Sequence, residues 1–189
     1  MGVPGFFAWL LKNYDHNQLI INSLKMGAHT LYIDANCLFH PQCFKVLDLI
    51  KKKMDKTMME NLMIKRIINY IEFLINFAKP TKLIYIAVDG VAPFAKVSQQ
   101  RIRRYKSIHD AEIKEEMEKR YNIIKHNKWS NIVITPGTEF MEKLHQCLTN
   151  HFKKSKSKAT IIYSSYHEPG EGEHKILQPA PQTCCESPA

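Results

Sequence analysis

No stretch of the 189 residues approaches the roughly 20 uncharged apolar residues that a membrane helix requires, which argues against a spanning segment. The opening residues MGVPGFFAWLLKNYD lack the basic leader and small-residue cleavage site of a secretion signal, so a soluble, intracellular chain is expected. The cytoplasm is the expected compartment and the nucleus the alternative, because the basic runs Lys51–Lys53 and Lys153–Lys158 are too ordinary to act as signals. Paired cysteines are lacking too: Cys37, Cys43 and Cys147 are scattered, Cys184 and Cys185 are adjacent, and none has CxxC spacing, which speaks against a disulfide framework or a zinc or redox pair. HExxH, Walker A and nucleophile-elbow patterns are missing, so zinc hydrolysis and acyl transfer have no support. Acidic residues are the scarcer sign, 18 against 27 Lys and Arg, giving a formal charge of +9. Such an excess suits a polyanionic partner through counterion release, with RNA, DNA and an anionic membrane surface all open.

What is present fits one domain with a real core, since 44% of the residues are hydrophobic and the length leaves little room for two large domains. Phe6, Phe7, Leu10 and Leu11 fall at helical spacing after Pro4 and predict a short N-terminal helix. The run Leu31, Tyr32, Ile33 predicts a buried strand that stops at Asp34. From Asn61 to Phe77 apolar residues recur at three- and four-residue steps, a helix with a broad buried face, ended by Pro80. KLIYIAVDG reads as a parallel strand covered on both faces, and it too ends in a carboxylate, Asp89. A long, exposed, densely charged helix is predicted from Ala95 to about Asn127. NIVITPG predicts a further strand, Thr138 the N-cap of the next helix, and KATIIYSSY a last strand, after which HEPGEGEHKIL opens a helix through a glycine-rich turn. The fold class is therefore α/β, a mostly parallel sheet flanked by helices, with ligands expected beyond the carboxyl ends of the strands. Residues 179–189 switch to Pro, Ser and Cys without periodicity and read as a disordered tail or one foreign to the domain.

A parallel sheet would gather Asp34, Asp89, Glu171 and Glu173 at one edge. Converging carboxylates call for a cation, and hard oxygen ligands in this number suit Mg²⁺ or Mn²⁺. Two such ions about 4 Å apart would clamp the attacking and leaving oxygens of a phosphodiester. Singly, each acid is more often a cap or turn residue than a ligand; their shared position on the sheet is what raises the odds together. Lys96, Gln100, Arg103 and Arg104 recur at i, i+4, i+7 and i+8, one helix face just after Asp89, which makes either a phosphate pocket or plain solvated surface. His40 has the chemistry to stack on a base or touch phosphate, and packs as readily as an ordinary histidine. His174, beside Glu173, reads as structural before it reads as a group that supports the metal-binding acids from behind.

The stretches MGVPGFFAWL, LYIDANCLFH, KLIYIAVDGVAPFAKVSQQRIRRYKS, ITPGTEFM and HEPGEGEHKIL resemble, in order from Met1 to about Leu177, the N-terminal part of the Xrn/Rat-type 5′→3′ exoribonucleases. The resemblance implies a PIN/FEN-like nuclease core over residues 1–178, incomplete relative to the family. It implies a hydrolase that removes nucleotides one at a time from single-stranded RNA bearing a 5′-monophosphate, as in RNA decay and mRNA turnover. Protein partners are left unspecified. By it, Asp34, Asp89, Glu171 and Glu173 correspond to catalytic, Mg²⁺-binding acids, while Lys96, Gln100, Arg103 and Arg104 correspond to the 5′-phosphate pocket. His40 corresponds to the ring stacked on the first base, and Gly2 to Phe7 lie near the site. Two departures stand out: Phe94 occupies a place where the family has a basic residue, and three family aspartates beyond GEGEHK have no counterpart here. An alternative is thus a catalytically inactive fragment that binds 5′-phosphorylated RNA ends.

Overall fold

A computed structural model describes residues 5–15, 27–123, 129–155 and 157–177. In chain order the elements are α1 (Phe6–Asn13), β1 (Thr30–Asp34), α2 (Asn36–Leu49), α3 (Lys56–Ala78), β2 (Leu83–Ala87) and α4 (Phe94–Arg120). A 3₁₀ turn (Asn131–Val133), α5 (Glu139–Lys153), β3 (Thr160–Ser164) and α6 (Gly172–Leu177) follow. The three strands form a parallel sheet in the order β1-β2-β3. Its register runs from Thr30, Leu83 and Thr160 at one end to Asp34, Ala87 and Ser164 at the other. All three strands therefore end level, and the residues that follow share one edge.

The centre of the sheet is the most apolar run, and its burial shows why β2 lies there: Ile84, Tyr85, Ile86 and Ala87 are all buried, whereas β1 buries Ile33 and leaves Tyr32 exposed. Three helices contribute most of the core. Phe39, Cys43 and Val46 come from α2, Met59, Met63, Ile67 and Ile71 from α3 at strict four-residue steps, and Phe140, Met141, Leu144 and Leu148 from α5. Asp55 caps α3 by accepting from Thr57 N at 2.9 Å and Met58 N at 3.4 Å. Thr138 caps α5 through Met141 N, as its position before TEFM implies. The α3–α5 seam also holds Glu60, buried and paired with Lys143 Nζ at 3.2 Å.

Helix α4 is 27 residues long and buries none of them, the solvated helix its charge density implies. It stops at Arg120, followed by Asn122 at φ 53°, short of Asn127; residues 124–128 are outside the described set. Among the described residues no helix is long and apolar enough to cross a membrane. Pro4, Gly2 and the tail 179–189 lie outside the described residues.

The structure departs from the sequence expectations at three places. NIVITPG is not a strand: Asn131–Val133 form a 3₁₀ turn. The Thr138 hydroxyl donates to the carbonyls of Val133 and Thr135, the latter at 3.0 Å, while Ser130 Oγ accepts from Ile132 N. These local side-chain bonds divert the backbone from a ladder, and Pro136 has no N–H to give one. The sheet accordingly has three strands among the described residues. Helix α2 went unread because Pro41 lies inside it, a residue that ordinarily marks a boundary, and α3 begins five residues earlier than the apolar period indicates, at Lys56.

Candidate active site

The strand ends deliver the acids. Asp34 is the last residue of β1, Asp89 lies two past the end of β2, and Glu171 and Glu173 flank the first residue of α6. Two glycines make this convergence possible. A Cβ on Gly90 would fall 1.8 Å from the Glu168 carbonyl oxygen, and one on Gly172 would fall 2.6 Å from Asp34 Oδ1 and 3.3 Å from Asp89 Oδ1. The Gly172 amide donates to Asp89 Oδ1 at 2.6 Å, so backbone itself crosses the acidic cluster. Asn36 Oδ1 accepts from Asp89 N at 3.3 Å and ties the start of α2 to the same place.

Asp34, Asp89, Glu171 and Glu173 line one cavity of about 250 Å³ together with Lys96, Gln99, Gln100 and Arg103. Seven residues singled out from the sequence are thereby brought together. Gln99 was missed, although Lys96, Gln99, Gln100 and Arg103 follow the regular i, i+3, i+4, i+7 face of a helix. Arg104 is exposed on α4 and is not among the lining residues. His40 is half-buried on α2, and burial pushes its ring below the usual histidine range, against the opposing pull of Asp89. Phe94, the first residue of α4, is 93% exposed.

Charge in the cavity is strongly coupled. Burial raises the Asp34 carboxyl above the usual range, and neighbouring Asp89, Glu173 and Glu171 add to it, opposed by a backbone hydrogen bond at Asn36. Lys96 Nζ donates to Glu171 and lies 3.5 Å from Glu173; the Glu171 bond holds it more firmly protonated than usual. His174 Nδ1 is 3.9 Å from Glu171. Asp34 Oδ1 is buried with no hydrogen-bond partner among the described residues. A buried carboxylate oxygen without a donor, in a cavity shared with three more carboxylates, fits a hard divalent cation, and among the described residues Glu171, Glu173 and His174 already bring ligand atoms within 4.8 Å of one another.

Parallel strands that end together, an acidic cluster at their carboxyl edge and a cationic helix face beside it define, as a class, an α/β protein with a charged cleft at the carboxyl ends of its strands. The chain matches the family model described as XRN 5′-3′ exonuclease N-terminus over residues 1–184, and it belongs to that family. It is 36% identical over 187 residues to the 5′-3′ exoribonuclease 1 of Homo sapiens and 37% identical over 190 residues to that of Schizosaccharomyces pombe. It is 33% identical over 215 residues to the 5′-3′ exoribonuclease 2 of Gallus gallus. Each match covers 94% of this chain but only 11%, 14% and 22% of the respective relatives.

Proposed function

We propose that this chain carries the 5′-end pocket and the first half of the acidic site of a metal-dependent 5′→3′ exoribonuclease acting on 5′-monophosphorylated single-stranded RNA. The observation that supports this reading is the shared cavity, in which four carboxylates face Lys96, Gln99, Gln100 and Arg103. Asp34, Asp89, Glu171 and Glu173 would hold Mg²⁺ or Mn²⁺, which when bound supplies charge neutralisation at the phosphodiester and an activated water. The chain's own part is to orient the end. Arg103 offers a planar fork to a terminal phosphate and Gln99 and Gln100 offer amide N–H donors, while Arg104 extends the positive face outward. Gly172 lets backbone approach the acids where a side chain would displace Asp34.

A second reading is that the chain holds 5′-phosphorylated RNA ends without cleaving them. Lys96 favours it, because its ammonium already neutralises part of the carboxylate charge through Glu171 and Glu173.

One assay separates the two. RNA with a 5′-monophosphate, 5′-triphosphate or 5′-hydroxyl end is incubated in Mg²⁺ or chelator with the wild type, Glu171→Gln and Arg103→Ala. Metal-dependent release of mononucleotides from the monophosphate substrate, lost in Glu171→Gln, supports the nuclease. Monophosphate-selective binding without release supports the second reading, and binding indifferent to the 5′ group, unchanged in Arg103→Ala, sinks both.

A further inference from the structure

A charged lysine is seldom fully buried, yet Lys175, on the one-and-a-half-turn helix after the GEGE turn, is only 5% exposed. Its ammonium donates to the Val88 and Ser165 carbonyl oxygens, both at 2.8 Å. Val88 immediately precedes Asp89, and Ser165 opens the segment that leads to Glu171. The paired register of β2 and β3 ends at Ala87 and Ser164, and Val88 N still reaches Ser164 O at 2.9 Å. Beyond that point the two chains part, one toward α4 and the other toward α6. Lys175 bridges them where they part, and farther out Gly90 N to Gly170 O at 2.8 Å and Gly170 N to Val91 O at 2.9 Å join them again. An apolar side chain at 175 would remove the donor to the Val88 carbonyl and leave Ser165 O with the Glu168 amide alone, at 3.2 Å.

We propose that Lys175 is a positioning residue for the acidic cluster, a buried strut that fixes Asp89 relative to the segment carrying Glu171 and Glu173. The proposal rests on reading that cluster as a divalent-cation site. Its two physical effects have opposite signs. As a bare positive charge Lys175 opposes cation binding, so deleting the charge alone tightens the site. As a strut it preorganises the ligands, so deleting its hydrogen bonds loosens the site. The sign of the change therefore tells the roles apart.

The experiment titrates Mn²⁺ into the 189-residue chain, followed by electron paramagnetic resonance, for the wild type, Lys175→Met, Lys175→Gln and Leu148→Ala, a core control remote from the acids. Outer-shell partners of metal ligands are worth about 10- to 100-fold in affinity, so Lys175→Met should bind at least about tenfold more weakly, with Leu148→Ala near wild type. The Gln amide keeps two N–H donors without the charge and should bind more tightly than Lys175→Met. Unchanged or tighter binding by Lys175→Met overturns the strut, and if the Met variant does not fold, Lys175→Ala, which also removes the donors, is titrated in its place with the same outcomes. Amide hydrogen exchange at Gly90 and Gly172 is measured on the same proteins without metal. Faster exchange in the Lys175 variant than in Leu148→Ala is expected, and undiminished protection overturns the proposal. A wild type that binds no Mn²⁺ sinks the cation-site reading, while the exchange rates still decide the role of Lys175.

Discussion

The Gly172 amide donates to Asp89 Oδ1 at 2.6 Å, across 83 residues of sequence, so the turn that carries two acids is held directly by a third. The contact works only because position 172 has no side chain. In Gly172→Ala the new Cβ meets Asp34 Oδ1 at 2.6 Å, and overpacking of this kind costs about 1–3 kcal/mol. The variant should show a lower urea midpoint and weakened Mn²⁺ binding together. A wild-type Mn²⁺ isotherm from this variant would mean that the turn and Asp34 are not as close as described.

The core is tested at Leu144, which is 1% exposed on α5. Leu144→Ala removes atoms from a packed interior and should cost about 2–5 kcal/mol. Denaturant unfolding gives the number directly; a loss under about 1 kcal/mol would contradict the packing of α5 on the sheet.

Asp55 accepts from two amides of the first turn of α3. Asp55→Ala should therefore destabilise by about 0.5–2 kcal/mol, whereas Asp55→Asn or Asp55→Ser, which keep an acceptor, should retain most of the stability. A thermal melt of the three variants checks the order.

Stability should fall as the solution is acidified from pH 7.5 toward 5.5. Burial, and then the neighbouring His167, push the His145 ring below its ordinary value, against the pull of Glu142. His145 sits between Tyr163, Tyr166 and His167, with rings 5.7, 6.0 and 4.7 Å away. A group whose folded pKa is depressed contributes stability that is complete above its unfolded pKa, about 6.5 for histidine, and is lost as pH falls through the folded value. His40, depressed by burial, adds in the same direction. Glu142, lowered chiefly by the Tyr166 hydroxyl and then by Gln146, contributes a further loss only at more acidic pH, from the ordinary carboxylate range downward toward its lowered folded value. Urea midpoints at the two pH values should differ less in His145→Gln than in the wild type; equal differences would remove His145 from the account.

How much of this could be read beforehand depends on whether the signal is local. The period of α3 and the apolar runs of β1, β2 and β3 are set by residues a few positions apart, and those elements were legible. Asp34 and Asp89 were legible with them, because a carboxylate after an apolar strand marks the strand's exit. The run Ile132 to Ile134 was misread because the Thr138 hydroxyl takes nearby carbonyls, a competition that hydropathy does not register. Helix α2 was hidden by Pro41, whose cost is outweighed once Phe39, Cys43 and Val46 are buried against α3 and the sheet. Gln99 was passed over for Arg104, because spacing alone does not say which side of an exposed helix turns toward the cavity.

The sequence by itself determined the fold class, the runs that form β1, β2 and β3 and the acids at their exits, since periodicity and strand-end chemistry act over a few residues. Only the tertiary structure decided that Lys96 turns into the carboxylates, that Gly172 brings backbone against Asp34 and Asp89, and that Lys175 is buried beneath them. Those relationships join residues about 75 to 140 positions apart, and they exist only because three parallel strands end at the same level. No local pattern encodes that coincidence; the register of the sheet does.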